Sequence, residues 1–193
     1  WFFDRCIRAN RSSAKTPTLS ANARAYGAAG RVTELRCEVP FDYKPGQYAF
    51  INVAEISLFE WHPFTIASST TGRVTFLIKD MGPGTFTARL YERAQRQQPI
   101  TLCVDGPYGT PIDMTEYTTV LLVCGGIGVT PCKSILGNLQ RCKDGLDPAL
   151  RVHFVWVARD ASLFSLMQSP LKSMPTGPFT ASLYANEPPA ATP

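Results

Sequence analysis

Thr118-Thr119-Val120-Leu121-Leu122-Val123-Cys124-Gly125-Gly126-Ile127-Gly128-Val129-Thr130-Pro131 changes character twice in one short run. The apolar stretch that ends at Cys124 has the pattern of a strand buried on both faces of a parallel sheet. The glycines that follow permit close backbone approach. Thr130 and Pro131 then supply an N-cap and a first helical residue. A helix over about 131–143 places Ile135, Leu136, Leu139 and Cys142 toward a core, and 151–158 reads as a second buried strand. Strand, glycine loop, capped helix and strand form a βαβ unit of the kind that holds a dinucleotide. Gly125, Gly126, Gly128, Thr130 and Pro131 are therefore candidate dinucleotide-binding residues, although a proline at the helix start departs from the usual glycine fingerprint. The second strand ends at Ala158-Arg159-Asp160. An acid there hydrogen-bonds a ribose, and an arginine accommodates a 2′-phosphate, so both types are candidates and the balance leans to NADPH over NADH. A short helix is expected near 162–167.

Upstream the pattern is different. Segments 18–26, 32–39, 47–53, 73–79 and 100–105 are short and strand-like, punctuated by Gly27 to Gly30, Pro45-Gly46 and Thr71-Gly72. With an extended segment at 62–68 they predict a small antiparallel six-stranded barrel. One helix interrupts it over about 85–96, with Phe86, Leu90 and Ala94 on one face. Asp105-Gly106-Pro107-Tyr108-Gly109 reads equally as an interdomain turn or a cofactor contact.

The extended run His62-Pro63-Phe64-Thr65-Ile66-Ala67-Ser68 has residues suited to a flavin ring. Alternate side chains share a face. Phe64 can lie against the ring, Thr65 can present a hydroxyl and N–H to its reactive edge, and His62 can approach a polar edge or phosphate. The plain alternative is a barrel strand with a satisfied histidine. Lys79, with the helix start Gly84-Thr85-Phe86-Thr87, offers a point charge and a helix N-terminus to a pyrophosphate, the alternative being a glycine turn before an ordinary helix. Two cofactor sites in this order imply hydride transfer between bound cofactors. Such chemistry asks the protein to hold two rings together and neutralise phosphate, and it needs no nucleophile–histidine–acid set.

Composition agrees. Of 193 residues, 45% are hydrophobic and 18% charged, with a net charge of +4 that forms no basic stripe suited to nucleic acid. The local excess of Arg5, Arg8, Arg11, Lys15 and Arg24 after Trp1-Phe2-Phe3 reads as a solvated arm or a membrane-adjacent segment. Six cysteines show no Cys-x-x-Cys pair and no zinc spacing, so no metal site is expected and a reducing compartment is. Two histidines cannot supply a bis-histidine haem site of the usual kind. No stretch reaches the roughly eighteen apolar residues a membrane helix needs.

These features together resemble the ferredoxin-reductase-type superfamily, and most closely the NADPH oxidase and ferric reductase family. The resemblance rests on Tyr43-Lys44-Pro45-Gly46-Gln47-Tyr48-Ala49-Phe50-Ile51-Asn52-Val53, Glu60-Trp61-His62-Pro63-Phe64-Thr65-Ile66-Ala67-Ser68, the Asp105 to Gly109 run, the Gly125 to Pro131 run, and the junction-like Phe3-Asp4-Arg5-Cys6-Ile7-Arg8. It implies a β plus α/β chain with a juxtamembrane-like arm over 1–15, an FAD-binding barrel over 16–112, and the first part of a parallel-sheet, Rossmann-like NADPH-binding domain over 113–193.

It further implies a membrane protein whose cytosolic dehydrogenase segment this is. NADPH would reduce FAD, and electrons would pass to haem in a transmembrane part of the same polypeptide that is not present here, then to oxygen or ferric iron. His62, Pro63, Phe64, Thr65, Ile66 and Ser68 map to FAD contacts, with Thr65 nearest the chemistry, and Lys79, Gly84, Thr85 and Thr87 to its phosphates. Gly126, Gly128, Thr130 and Pro131 map to the NADPH loop, and Arg159 to the adenosine phosphate.

Three departures stand out. Lys79 replaces the family's phosphate-binding arginine, keeping charge but losing the bidentate fork. Two extra residues lie between that strand and the next helix. The chain ends before a late Cys-Gly-Pro-type motif and a C-terminal aromatic residue, so an incomplete nicotinamide pocket is expected. The alternatives are a soluble FAD-dependent reductase serving a separate iron–sulfur or flavodoxin partner, and a non-catalytic flavin-binding domain.

Overall fold

The computed structural model describes residues 18–26, 30–67, 72–114, 117–141, 149–174 and 178–187. Ser68, Cys6, Cys142 and the 1–15 arm lie outside them. Among the described residues no helix is long and apolar enough to cross a membrane.

Six strands form the first sheet: β1 (Thr18–Tyr26), β2 (Val32–Glu38), β3 (Tyr48–Val53), β4 (His62–Thr65), β5 (Arg73–Lys79) and β6 (Ile100–Tyr108), in the order β4-β3-β6-β1-β2-β5. The neighbouring strands are paired antiparallel. The two ends of this order meet where Ile66 bridges Phe76 and the Ala67 N–H donates to the Thr75 carbonyl at 2.8 Å. That contact closes the sheet into the expected barrel, which leaves few unpaired edges. Its interior is apolar, with Leu35, Ile51, Ile66, Phe76 and Leu102 fully buried. Helix α1 (Phe86–Gln95) lies against it through Phe86 and Leu90. Thr85 caps α1, its hydroxyl accepting the Ala88 N–H at 3.1 Å.

β6 runs further than expected. Asp105 to Tyr108 is the end of that strand, paired with β3 across a bulge, and not a free turn. The Tyr108 hydroxyl donates to Asp105 at 2.8 Å, and the Tyr48, Phe50 and Tyr108 rings pack edge-on or tilted with centroids 5.6–5.9 Å apart.

The second sheet contains β7 (Thr119–Gly125), β8 (Arg151–Asp160) and β9 (Phe179–Glu187), all parallel, in that order. A 3-10 turn (Gly126–Gly128) and helix α2 (Val129–Arg141) connect the first two; a 3-10 segment (Ala161–Met167) and the short helix α3 (Gln168–Lys172) connect the next. β9 adds a third strand to the expected βαβ unit, and its Phe179-Thr180-Ala181-Ser182-Leu183 stretch alternates apolar and polar residues as a strand does.

The expectation that the first two strands are buried on both faces is corrected. On β7, Val120 and Leu122 are buried while Leu121 and Val123 are each 64% exposed. β8 alternates in the same way. Both connections pack on one side of this sheet, through Ile135, Leu136 and Leu139 of α2 and Leu163 of the 3-10 segment. Continuous hydrophobicity along β7 therefore does not report two covered faces here.

The opposite surprise occurs in the barrel. β2 buries Thr33 and Glu34 as well as Val32 and Leu35, and β5 buries five consecutive residues. Val32, Leu77 and Ala67 turn outward into a second core, shared with Val129, Leu136 and Trp156. The two sheets thus meet through packed apolar surface.

Candidate functional site

Between the barrel and the second sheet lies a crevice of about 420 Å³. This is within the usual size of small-molecule sites. One wall comes from Pro63, Phe64 and Thr65 of β4, with Leu77, Ile78 and Lys79 at the end of β5. Met81 and Thr87 form the end toward α1. The facing wall is Ile127, Gly128, Thr130 and Pro131 at the start of α2. Segments separated by some sixty residues in sequence thus face one shared space, through Pro63, Phe64 and Thr65 on one side and Ile127, Gly128, Thr130 and Pro131 on the other.

Local structure explains each placement. Tyr48 pairs with Thr65 and Ala49 with Phe64 in the antiparallel ladder, which fixes β4 at the barrel edge. Ile66 donates its N–H to the Gln47 carbonyl at 3.0 Å and points its side chain inward, fully buried. Its expected place among the cofactor contacts is therefore corrected: the side chain belongs to the barrel core, because strand alternation sends it opposite to Thr65.

His62 does not line the crevice. Its ring packs against Phe86 with centroids 4.3 Å apart. Its Nε2 is shielded, lies 3.5 Å from Glu60, and makes no hydrogen bond. A shielded ring nitrogen without a partner, beside the N-terminus of α1, is a group suited to a polar ligand atom. Trp61 likewise has a shielded indole N–H with no acceptor.

The loop after β5 is tied at both ends. Asp80 accepts from Arg31 at 2.6 Å and from the Gly82 N–H at 2.8 Å. Burial raises the Asp80 carboxyl, but the Gly82 N–H and the guanidinium outweigh it and hold its pKa below the usual value. Thr87 Oγ1 accepts the Met81 N–H at 3.0 Å. Gly84 has φ +79 and lies exposed outside the crevice lining. Thr85 is not a lining residue either, since its hydroxyl serves α1 as cap and donates to the Gly82 carbonyl at 2.8 Å.

The glycine loop is held by Trp156. Its indole N–H donates to the Gly126 carbonyl at 2.9 Å. Gly126 has φ +51, a left-handed conformation that glycine adopts without the usual steric penalty. A Cβ at Gly126 or Gly128 would meet no protein atom within 4 Å, so the loop leaves open space for a ligand rather than for side chains. Gly125 ends β7 and lies outside the lining.

Thr130 is not the N-cap. α2 begins at Val129, directly after the 3-10 turn, so Thr130 sits in its first turn. Its hydroxyl donates to the Ile127 carbonyl at 2.8 Å.

Arg159 and Asp160 are also separated by the structure. Asp160 is buried. It caps the following 3-10 segment, accepting from the Ser162 N–H at 2.8 Å and the Ser162 hydroxyl at 2.6 Å, and it accepts from the Gly30 N–H of the barrel side. The Ser162 hydroxyl, with these two N–H groups, outweighs burial and lowers its pKa below the usual carboxylate range. This carboxylate is used by the fold. Arg159, on the other face of β8, is exposed and outside the crevice.

Sequence reasoning missed Leu77, Ile78, Met81 and Ile127, which furnish the apolar walls. Nothing marks them in advance, because apolar residues at a strand end or in a turn carry no chemical signature.

The donor set fits the expected groups: apolar walls for a ring system, an exposed lysine and a helix start for phosphate, and an open glycine loop opposite. Comparison with known proteins gives the same two parts in the same order. Residues 28–112 match the FAD-binding domain model and residues 117–177 the ferric reductase NAD binding domain model.

NADPH oxidase 1 of Mus musculus is 32% identical over 182 residues, covering 90% of this chain and 30% of that protein. Ferric reduction oxidase 7, chloroplastic, of Arabidopsis thaliana is 33% identical over 192 residues, covering 88% of this chain and 25% of that protein. The chain thus spans less than a third of the length of these relatives.

Among solved structures, the flavohem-like FAD/NAD binding domain of nitric oxide dioxygenase from Vibrio cholerae superposes with a TM-score of 0.69 at 20% identity, covering 89% of this chain and 75% of that one. A ferredoxin NADP+ reductase from Neisseria gonorrhoeae with bound FAD and NADP gives 0.69 at 17% identity, covering 93% and 71%. The structural likeness establishes the fold. The ordered pair of domain matches and the relatives at about a third identity establish that the chain belongs to the NADPH oxidase and ferric reductase family, as a module with FAD- and NAD(P)-binding domains.

Proposed function

We propose that this chain is the cytosolic dehydrogenase module of a membrane-bound flavocytochrome. It takes electrons from NADPH and passes them through FAD toward haem in a transmembrane part of the same polypeptide, and from there to oxygen or ferric iron. The observation that carries this reading is the single crevice walled on one side by Pro63, Phe64 and Thr65 and on the other by Gly128, Thr130 and Pro131.

FAD, when bound, supplies the step between two-electron and one-electron chemistry. The protein's own residues bind and orient. Phe64 gives an apolar face to a ring. Thr65 sets a hydroxyl and backbone N–H beside it. Lys79 and the α1 start, with Gly84, Thr85 and Thr87 near it, answer phosphate charge, and His62 packs its ring on Phe86 beside that start. Ser68 is a further FAD contact on the family resemblance. Gly125, Gly126 and Gly128 admit the dinucleotide backbone, Thr130 and Pro131 lie in the first turn of the helix beneath it, and exposed Arg159 meets an adenosine 2′-phosphate. The functional division follows the barrel over 16–112 and the dinucleotide unit over 113–193, with the basic arm over 1–15 leading from the membrane. Bringing two bound rings together in one crevice is the arrangement that favours transfer between them.

The test is an absorbance spectrum of the purified chain loaded with FAD, before and after anaerobic NADPH. Bleaching of the flavin bands is expected. A yellow protein whose spectrum NADPH leaves unchanged, also when the chain is extended to the length of its relatives, would overturn the reading.

A further inference from the structure

Glu34 faces outward from β2, yet it is only 3% exposed. Its carboxylate accepts from the Tyr26 hydroxyl at 2.8 Å and from Arg36 at 2.9 Å to each oxygen, both on the barrel. A further cation reaches it from the other sheet's helix: Lys133 of α2 sets Nζ 3.8 Å from Glu34 Oε1. The Lys133 side chain is itself 16% exposed. Burial pulls its pKa below the usual value, and Glu34 opposes that shift.

Around this pair the interface is apolar, with Val32 and Leu77 of the barrel against Val129, Cys132 and Leu136 of α2. Apolar contact is non-directional and tolerates sliding. A desolvated ion pair does not, because separating it strands a charge. Lys133 lies two residues after Pro131, which lines the crevice.

We infer that Glu34 and Lys133 are a positioning pair, fixing the first turn of α2, and with it Gly128, Thr130 and Pro131, in register over the barrel wall of the crevice. Neither residue lines the crevice. The inference rests on the reading of that crevice as the place where the two cofactors meet.

The pair is asymmetric, and the asymmetry makes it testable. Removing the ammonium leaves Glu34 satisfied by Tyr26 and Arg36. Removing the carboxylate charge leaves Lys133 desolvated without its counter-ion. K133M should therefore fold and hold FAD with unchanged affinity, measured by flavin fluorescence. Its anaerobic flavin reduction at saturating NADPH should fall by about tenfold or more, as expected for misplaced reactants. K133R, which keeps the charge, should recover to within about threefold, since the pair acts through a charge that arginine also carries. E34Q should be worse than K133M.

A second measurement needs no NADPH. K133E sets two carboxylates against each other across the interface, and calorimetry of the protein as purified should show its unfolding transition broadened or split relative to the unaltered chain. Reduction by K133M within about twofold of the unaltered chain, too little to reflect lost register, would overturn the inference, as would an unchanged K133E transition. Failure of NADPH to reduce the unaltered chain, also when it is extended to the length of its relatives, would instead defeat the functional reading, and the K133E transition then decides the pair by itself.

Discussion

Trp156 donates its indole N–H to the carbonyl of Gly126 across 2.9 Å, joining the middle strand of the parallel sheet to the turn that faces the crevice. Trp156 is fully buried. The hydrogen bond therefore fixes a left-handed glycine from beneath, leaving its outer side open.

Trp156→Phe removes this donor and leaves a small cavity in the core beneath the turn. The Gly126 carbonyl keeps the Val129 N–H and loses one of its two donors, at a cost of about 1 kcal/mol. Urea unfolding should register that loss. NADP+ affinity should fall while FAD affinity stays the same, because the barrel is untouched.

Gly128→Val adds bulk where no protein atom lies within 4 Å. Its backbone is not in the left-handed region, so stability should change by less than about 1 kcal/mol. The new side chain stands in the crevice, and flavin reduction by NADPH should drop by about a hundredfold, as misplacement of one reactant predicts. Stopped-flow absorbance with FAD-loaded protein checks both parts.

Thr65→Ala leaves the pairing of Thr65 with Tyr48 intact, since that ladder is backbone. Loss of one hydroxyl contact should weaken FAD binding by roughly fivefold, the worth of about 1 kcal/mol, and slow flavin reduction. Equilibrium dialysis and the reduction rate report the two effects separately.

Arg159→Ala should discriminate between dinucleotides. With Asp160 turned inward to Ser162 and Gly30, the exposed charge at this strand end is the guanidinium. The KM for NADPH should rise by roughly tenfold, as loss of a charge-assisted contact predicts, and the KM for NADH should barely move.

Asp160→Asn should flatten the acid limb of stability. The Ser162 hydroxyl and the Ser162 and Gly30 N–H groups lower the folded-state pKa of Asp160. A depressed carboxylate stabilises fully above its unfolded value of about 3.9 and loses that contribution as pH falls through the folded value. The difference in urea midpoint between the unaltered chain and Asp160→Asn should therefore be largest near neutrality and shrink below about pH 4.

Legibility varied along the chain for physical reasons. The start of α1 near Thr85 was readable because Phe86, Leu90 and Ala94 recur on one helical face, a local periodicity. Thr130 is not the cap that its local sequence suggests, because the 3-10 turn over Gly126–Gly128 starts the helix two residues earlier, at Val129, and the hydroxyl donates instead of accepting. Ile66 stood in a convincing motif, yet the strand's alternation sends it into the barrel. Asp160 looked like a ribose ligand, and its carboxylate instead staples Gly30 to the 3-10 segment.

Local pattern alone decided that a barrel of short strands precedes a strand–glycine–helix unit, because periodicity and turn chemistry are written in neighbouring residues. It also singled out the two segments that face each other. Only tertiary contact decided what covers each face: α2 buries Glu34 of β2, while Leu121 and Val123 of an equally apolar strand stay exposed. Burial belongs to whatever packs across a residue, and that neighbour is distant in sequence.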